Sequence, residues 1–230
     1  MKNIIITGGN RGIGLGLVKQ LSIDNNVIMT VRNDQKGEEA LDQNKENIKN
    51  TSYVVMDVND SKSVFNSFLQ IKKRIKNIDI LINNAGILIP GLKFNITAID
   101  TDEESILKTF NTNTIGVLRV TKQSVPLMKS GARIINISSG MGQLDHMGSG
   151  SLAYRLSKTA LNALTKVMAN ELSEKNISVN AICPGWVQTD MGGKDANLTI
   201  NESVSKIVSF ALGHEFPNGK FLRNGEIIPW

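Results

Sequence analysis

The stretch "TGGNRGIG" at residues 7–14 decides how the rest of the chain is read. It follows the short apolar run "NIIIT" (3–7) and opens a helical pattern over 12–23. A strand, a glycine loop and a helix in that order give such a loop its meaning. Gly8, Gly12 and Gly14 permit a tight turn, close backbone approach to a pyrophosphate, and packing of helix on strand. A phosphate would sit at the helix amino end, where free N–H groups and the helix dipole favour an anion. The spacing is G-x-x-x-G-x-G rather than G-x-G-x-x-G, and no Lys-Ser/Thr follows, which excludes a Walker A loop.

Outward from this loop, further apolar runs recur at 26–31, 52–56, 78–82, 133–137 and 177–182. Helical patterns lie between them at 36–48 (in part), 61–76, 101–129 and 152–174. Several runs are apolar throughout rather than alternating, as in strands buried on both faces. Alternating strands and helices predict βαβ units and a parallel sheet covered on both sides. The carboxyl-terminal "NGKFLRNGEIIPW" adds a last strand with a hairpin-like turn at Asn224-Gly225. The fold expected is α/β, a doubly wound parallel sheet of the Rossmann type with about seven strands. No Pro/Gly/Ser linker divides residues 1–230, so a single α/β domain is expected.

Composition narrows the partners. The chain is 40% hydrophobic with a net charge of +5, and its one basic cluster, Lys72, Lys73, Arg74 and Lys76, lacks interleaved aromatics. That cluster reads as a solvated helix face rather than a nucleic-acid surface. Cys183 stands alone beside two histidines, so neither an internal disulfide nor a Cys/His zinc set can form. No signal peptide or membrane-spanning run is apparent, and a cytoplasmic location is expected.

The end of the second strand, "MTVRN", speaks to the cofactor. An Asp or Glu there would hold a ribose 2′-hydroxyl, whereas an Arg accommodates a 2′-phosphate. Arg32 occupies the position, no acid follows until Asp34, and Arg11 in the glycine loop supplies a second guanidinium. The pair favours NADP(H) over NAD(H).

In "SLAYRLSKTALNAL" (151–164), Tyr154 lies one turn ahead of Lys158 on the same helix face. Alone, the pair is compatible with a solvated face. Together with "TGGNRGIG", "DV" (57–58), "NNAG" (83–86), "NTIG" (113–116), "ISS" (137–139) and "PGWVQT" (184–189), it resembles the short-chain dehydrogenases/reductases over nearly the whole chain. "ISSGMG", "CPGWVQTDMGG" and the carboxyl terminus look most like carbonyl-reductase and C-factor-like members.

The resemblance implies a catalytic set of Asn113, Ser139, Tyr154 and Lys158, with Ser139 preferred to Ser138 as the second residue of the pair. It implies cofactor contacts from Gly8, Asn10, Arg11, Gly12, Ile13 and Gly14 in the loop, and from Arg32 beyond the second strand. Asp57 and Val58 would meet the adenine, and Asn84, Ala85 and Gly86 would support the adenine-side ribose and pin the sheet beside the glycine loop. Pro184, Gly185, Val187 and Thr189 would hold the nicotinamide carboxamide, and Tyr154 and Lys158 its ribose. The partner implied is a small carbonyl or alcohol, and helices 101–129 and 152–174 form the dimer face in many relatives, so a homodimer or homotetramer is implied.

A free tyrosine titrates near ~10. Lys158, with the positive nicotinamide of an oxidised cofactor, is expected to lower that value and make Tyr154 the proton donor. Ser139 would add a hydrogen bond to the developing oxyanion. Asn113 would hold a water linking Lys158 to solvent. Cys183 reads as a small buried hydrophobe. Met141, Met147 and Trp186 are candidates for an apolar substrate wall, and His146 reads as an ordinary loop histidine. The polar segment 190–201 reads either as a mobile loop over the substrate or as a plain connection. The reading that follows is an NADPH-dependent carbonyl reductase or alcohol dehydrogenase. The alternative is a nucleotide-sensing, C-factor-like signalling protein with vestigial catalysis.

Overall fold

The computed structural model describes residues 1–89 and 96–230. Residues 90–95, within a loop at 87–100 whose conformation would bear on the shape of a substrate pocket, lie outside the described residues. Eight strands form one sheet in the order β3-β2-β1-β4-β5-β6-β7-β8. Strands β1 (Asn3–Ile6), β2 (Asn26–Val31) and β3 (Thr51–Val55) extend to one side, and β4 (Ile78–Asn83), β5 (Met128–Ile137), β6 (Ser178–Cys183) and β7 (Phe221–Arg223) to the other. All these pairings are parallel. The strand order reverses between β1 and β4, and a crevice at such a point is where ligands of open α/β sheets bind.

The eighth strand, β8 (Glu226–Ile228), is antiparallel to β7 and exceeds the expected count by one. Asn224 and Gly225 between them both have positive φ, 56° and 86°, which is the geometry of a two-residue primed turn.

Both sheet faces are covered because the strands are apolar on both. One core packs Ile5, Ile28, Leu81 and Ile134 against α3 (Ser61–Arg74), α5 (Gly116–Ser124) and α6 (Leu152–Glu171). The other packs Ile4, Ile6, Ile82 and Ile135 against α1 (Gly12–Leu21) and α7 (Ile200–Leu212). The remaining helices are α2 (Asp34–Asp42) and α4 (Glu103–Phe110).

Two helical expectations need correction. The pattern over 101–129 is not one helix. α4 passes through a π-helical turn at Asn111–Ile115 into α5, and the chain enters β5 at Met128 after a 3-10 turn containing Pro126. Proline cannot supply the N–H that a continuing helix needs, which ends it there. The second correction is α7, a helix absent from the patterns above. Its signal is present in "TINE". Thr199 and Glu202 form a capping box, and Val204, Ile207 and Ala211 supply the buried stripe.

Candidate active site

The glycine loop is held by backbone geometry. Gly8 and Gly12 adopt φ of 65° and 55°, left-handed values that glycine reaches without penalty. At Gly14 a Cβ would stand 2.1 Å from the Gly8 carbonyl oxygen and 2.6 Å from Asn84 Nδ2, so only glycine lets α1 start this close to the loop. Thr7, the first residue of the glycine stretch but not among the expected site residues, joins loop to sheet. Its Oγ1 accepts from the N–H groups of Asn84 and Ala85, each at 3.0 Å. Asn84 Nδ2 donates back to the carbonyls of Thr7 (2.9 Å) and Gly8 (3.0 Å). No side chain caps the amino end of α1 at Arg11, so the N–H groups of its first turn are left without a side-chain acceptor.

The two guanidiniums differ. Arg32, just beyond β2, is exposed and has no ion-pair partner among the described residues. Arg11 is paired, its Nη1 donating to Asp190 at 2.5 Å with both side chains exposed. Asp57 sits beyond β3 with one carboxylate oxygen accepting from the Asn59 N–H (2.9 Å) and Nδ2 (3.1 Å). Val58 is buried, its side chain packed against Gly116.

Tyr154 and Lys158 stand on the first turns of α6, which the chain enters through left-handed Gly150 and Ser151. The Lys158 ammonium lies 5.6 Å from the centre of the Tyr154 ring and donates to the Ile137 carbonyl at 2.8 Å. The two serines after β5 point apart, as neighbours leaving a strand do. Ser139 lies close enough to the Tyr154 side chain to influence its titration, and its Oγ accepts from the Met141 N–H at 3.1 Å. Ser138 is buried and donates to Asn162 Oδ1 at 2.6 Å. Asn162 Nδ2 and Thr159 Oγ1 both donate to the Gly142 carbonyl, at 3.2 and 3.1 Å. A Cβ on Gly142 would stand 2.6 Å from the Lys158 carbonyl carbon, so this loop lies directly on α6. Neither Asn162 nor Gly142 is among the site residues expected from the sequence. The signal for Asn162 is its place one further turn along the Tyr154–Lys158 face.

The charges depart from expectation. Burial pushes the Tyr154 phenol up to about 12, with the Ser139 hydrogen bond pulling weakly the other way. Burial brings the Lys158 ammonium down to about 8. The expectation that Lys158 holds Tyr154 low is therefore not met by the protein alone. Removal from water disfavours both charged forms and is the largest cause of each shift.

Asn113 lies in the π-helical turn and is fully buried. Its Oδ1 accepts from the Ile87 N–H at 2.8 Å, while Nδ2 donates to the Ile87 carbonyl (2.9 Å) and Ser157 Oγ (3.0 Å). Both ends of the carboxamide are thus spent on the chain rather than presented to a water. The residue braces Gly86, whose Cβ position lies 3.2 Å from Asn113 Oδ1 and 3.7 Å from the Lys158 ammonium.

Beyond β6, Pro184 accepts from Ser203 Oγ at 2.7 Å, and Gly185 packs on Leu198. Val187 bridges to Leu198, and Thr189 lies 3.5 Å from the Cβ position of Gly12. The segment after Thr189 is tied back to the residues before it. Gln188 Nε2 donates to the Ala196 carbonyl at 3.0 Å and Trp186 Nε1 to the Gly192 carbonyl at 2.8 Å. Cys183 is buried, accepting from the Gly140 N–H at 3.1 Å. Among the described residues no helix is long and apolar enough to cross a membrane, and no group of His, Cys, Asp and Glu could hold a metal ion.

The family model "short chain dehydrogenase" matches residues 2–198. Among curated proteins, C-signal of Myxococcus xanthus is 37% identical over 66% of this chain and 93% of its own length. Carbonyl reductase [NADPH] 1 of Homo sapiens is 27% identical, covering 98% of this chain and 97% of the relative. Among solved structures, the NADPH-bound carbonyl reductase from chicken fatty liver superposes with a TM-score of 0.89 at 30% identity, covering 100% of this chain and 99% of that one. The carbonyl reductase Sniffer of D. melanogaster gives 0.89 at 32% identity with both chains fully covered. With a matched family model over most of its length and a sheet that superposes on these structures throughout, the chain belongs to the short chain dehydrogenase family of oxidoreductases.

Proposed function

We propose that the protein is an NADPH-dependent carbonyl reductase acting on a small carbonyl compound. The observation that carries this reading is the Lys158 ammonium 5.6 Å from the centre of the Tyr154 ring, with Ser139 beside the same phenol, at the carboxyl end of the sheet that also carries the glycine loop. A dinucleotide fits the residues present, since the loop offers an uncapped helix amino end and a cradle that a Cβ at Gly14 would fill. Gly8 to Gly14 would hold the pyrophosphate, Asp57 and Val58 the adenine, and Asn84 to Gly86 the adenine-side ribose. Pro184 to Thr189 would hold the nicotinamide amide, and Tyr154 with Lys158 its ribose. Arg32 would receive a 2′-phosphate, with Arg11 joining it on exchanging Asp190 for that anion. When bound, reduced nicotinamide supplies the hydride.

Tyr154 donates its proton to the carbonyl oxygen as the new C–H bond forms, leaving a phenolate and an alcohol. A phenol near 12 remains a stronger acid than that alcohol, so the proton passes to the oxygen on which alkoxide charge develops. Ser139 hydrogen-bonds the same oxygen where negative charge develops. Lys158 in its ammonium form stabilises the phenolate, so reduction slows as pH rises through about 8. Asn113 acts as a positioning residue through Ile87 and Ser157.

The test is oxidation of NADPH and NADH with a panel of ketones, quinones and aldehydes, for the wild-type protein and Tyr154→Phe. Turnover that prefers NADPH and falls about 10²–10⁴-fold in the variant is expected. Turnover that survives Tyr154→Phe sinks the mechanism, and equal turnover with NADH removes the roles of Arg11 and Arg32. The 37% identity to C-signal favours one second reading, a nucleotide sensor with vestigial catalysis. NADPH binding with no turnover of any panel member is the outcome that selects it.

A further inference from the structure

Arg223, the last residue of β7, lies at the carboxyl end of the sheet in register with Cys183 on β6. Its guanidinium covers Gly140, the residue that follows Ser139. A Cβ at Gly140 would stand 2.2 Å from Arg223 Nη2, 3.3 Å from its Cζ and 3.7 Å from Cys183 Sγ. The other cations of this region are occupied. Lys158 donates to the Ile137 carbonyl, Arg155 to the carbonyls of Gly150 and Ser149, and Arg11 to Asp190. The Arg223 side chain has no hydrogen-bond or ion-pair partner among the described residues, and its Nε is buried. Glu226 faces it across the hairpin but is exposed and outside ion-pair distance.

A partly buried guanidinium without an acceptor is costly, and a planar carboxylate is the partner its fork fits best. Glycine at 140 is what admits the group here, since any side chain would occupy its place. We propose that Arg223 is a specificity residue that binds a carboxylate on the substrate, so that the enzyme acts on a carbonyl compound bearing an acidic group a short spacer away. This assignment rests on the reductase reading above. Its chemistry changes no step of that reaction, because the anion is held one residue along from Ser139 and takes no proton.

The test compares 4-formylbenzoate with its methyl ester, which present the same aldehyde with and without the charge. In the wild-type protein kcat/KM is expected to favour the acid by about tenfold or more, mainly through KM. Arg223→Met keeps the apolar stem and collapses the acid-to-ester ratio toward one. Arg223→Lys keeps the charge without the fork and retains part of the ratio. Glu226→Gln does not lower it. Calorimetric titration of both compounds reads affinity independently of turnover, and thermal unfolding shows that each variant is folded. Equal kcat/KM and equal affinity for acid and ester in the wild-type protein overturn the assignment, as does a ratio that survives Arg223→Met. If neither aldehyde is reduced, the reductase reading fails for this substrate class, while the calorimetric comparison still decides on Arg223.

Discussion

The glycine loop and the tyrosine site face each other across one crevice, and they are held by opposite means. Around Gly8, Gly12 and Gly14 the constraints are backbone angles and close approaches, secured by Thr7 and Asn84. Around Tyr154 the constraints are side chains, and two ionisable groups are kept from water against the preference of their charged forms. The first half is rigid through shape, and a single added methyl group breaks it. The second is poised electrostatically, and what breaks it is a change of protonation.

That contrast orders the expected effects. Tyr154→Phe, worth about 3 to 5 kcal/mol of barrier, should cost nucleotide binding only the phenol's contact to the nicotinamide ribose, because the loop does not depend on the phenol. Gly14→Ala should do the reverse and reach folding as well. Its methyl group meets backbone at Gly8, so a loss of at least about 3 kcal/mol in urea unfolding is expected, with weakened NADPH binding by fluorescence titration. An Ala variant that unfolds and binds like the wild type would show that the loop yields and that its rigidity is overstated.

Lys158→Met probes the electrostatic half. The folded protein holds this ammonium at about 8 against an unfolded value near ~10.4, so the unfolded chain binds more protons between those values. Wild-type stability should therefore rise relative to the variant as pH goes from 8 to about 10.5, by on the order of 3 kcal/mol. A pH-independent difference between the two proteins would contradict the buried, destabilised charge. Thr7→Val returns to the loop, removing one acceptor that serves two N–H groups. Chemical denaturation should report a loss of about 2 kcal/mol. Asp190→Asn is expected to have the smallest effect on folding, below about 1 kcal/mol, since the Arg11 pair is exposed.

The same contrast explains which features are legible in the amino-acid sequence. Six apolar runs and a glycine pattern report directly on strand burial and backbone approach, so the parallel sheet and its crevice can be read from them. Even the turn at Asn224-Gly225 announces itself, because few residues accept two successive positive φ values. Thr7 is not legible, since its importance lies in accepting bonds from a segment 77 and 78 residues away. The balance of charge at Tyr154 escapes the sequence for a related reason. Spacing on a helix shows that phenol and ammonium are neighbours, but not how much water the surrounding loop excludes from both. Helix α7 is hard to read although its capping box is written out, because the glycine-bearing stretch ahead of it dominates the pattern.

The π-helical turn at Asn111–Ile115 carries a consequence for register. Thr112, Asn113 and Thr114 are consecutive and all buried, and they reach three different parts of the chain. Thr112 donates to Asn59, Asn113 bonds Ile87, and Thr114 donates to the Ser157 carbonyl. A regular α-helix turns about 100° per residue and cannot bury three successive positions at a single contact line. The wider turn acts as a phase shifter, letting α4 lie against α6 while α5 lies against α3 and β4 without a break in the helical rod. Excising one residue there would close the turn to an ordinary α-helical one with α4 and α5 still in phase, and would remove one of the three buried positions that Asn113 shares. The position of the candidate site's buried asparagine is thus set by a miscount of one in an otherwise ordinary helix.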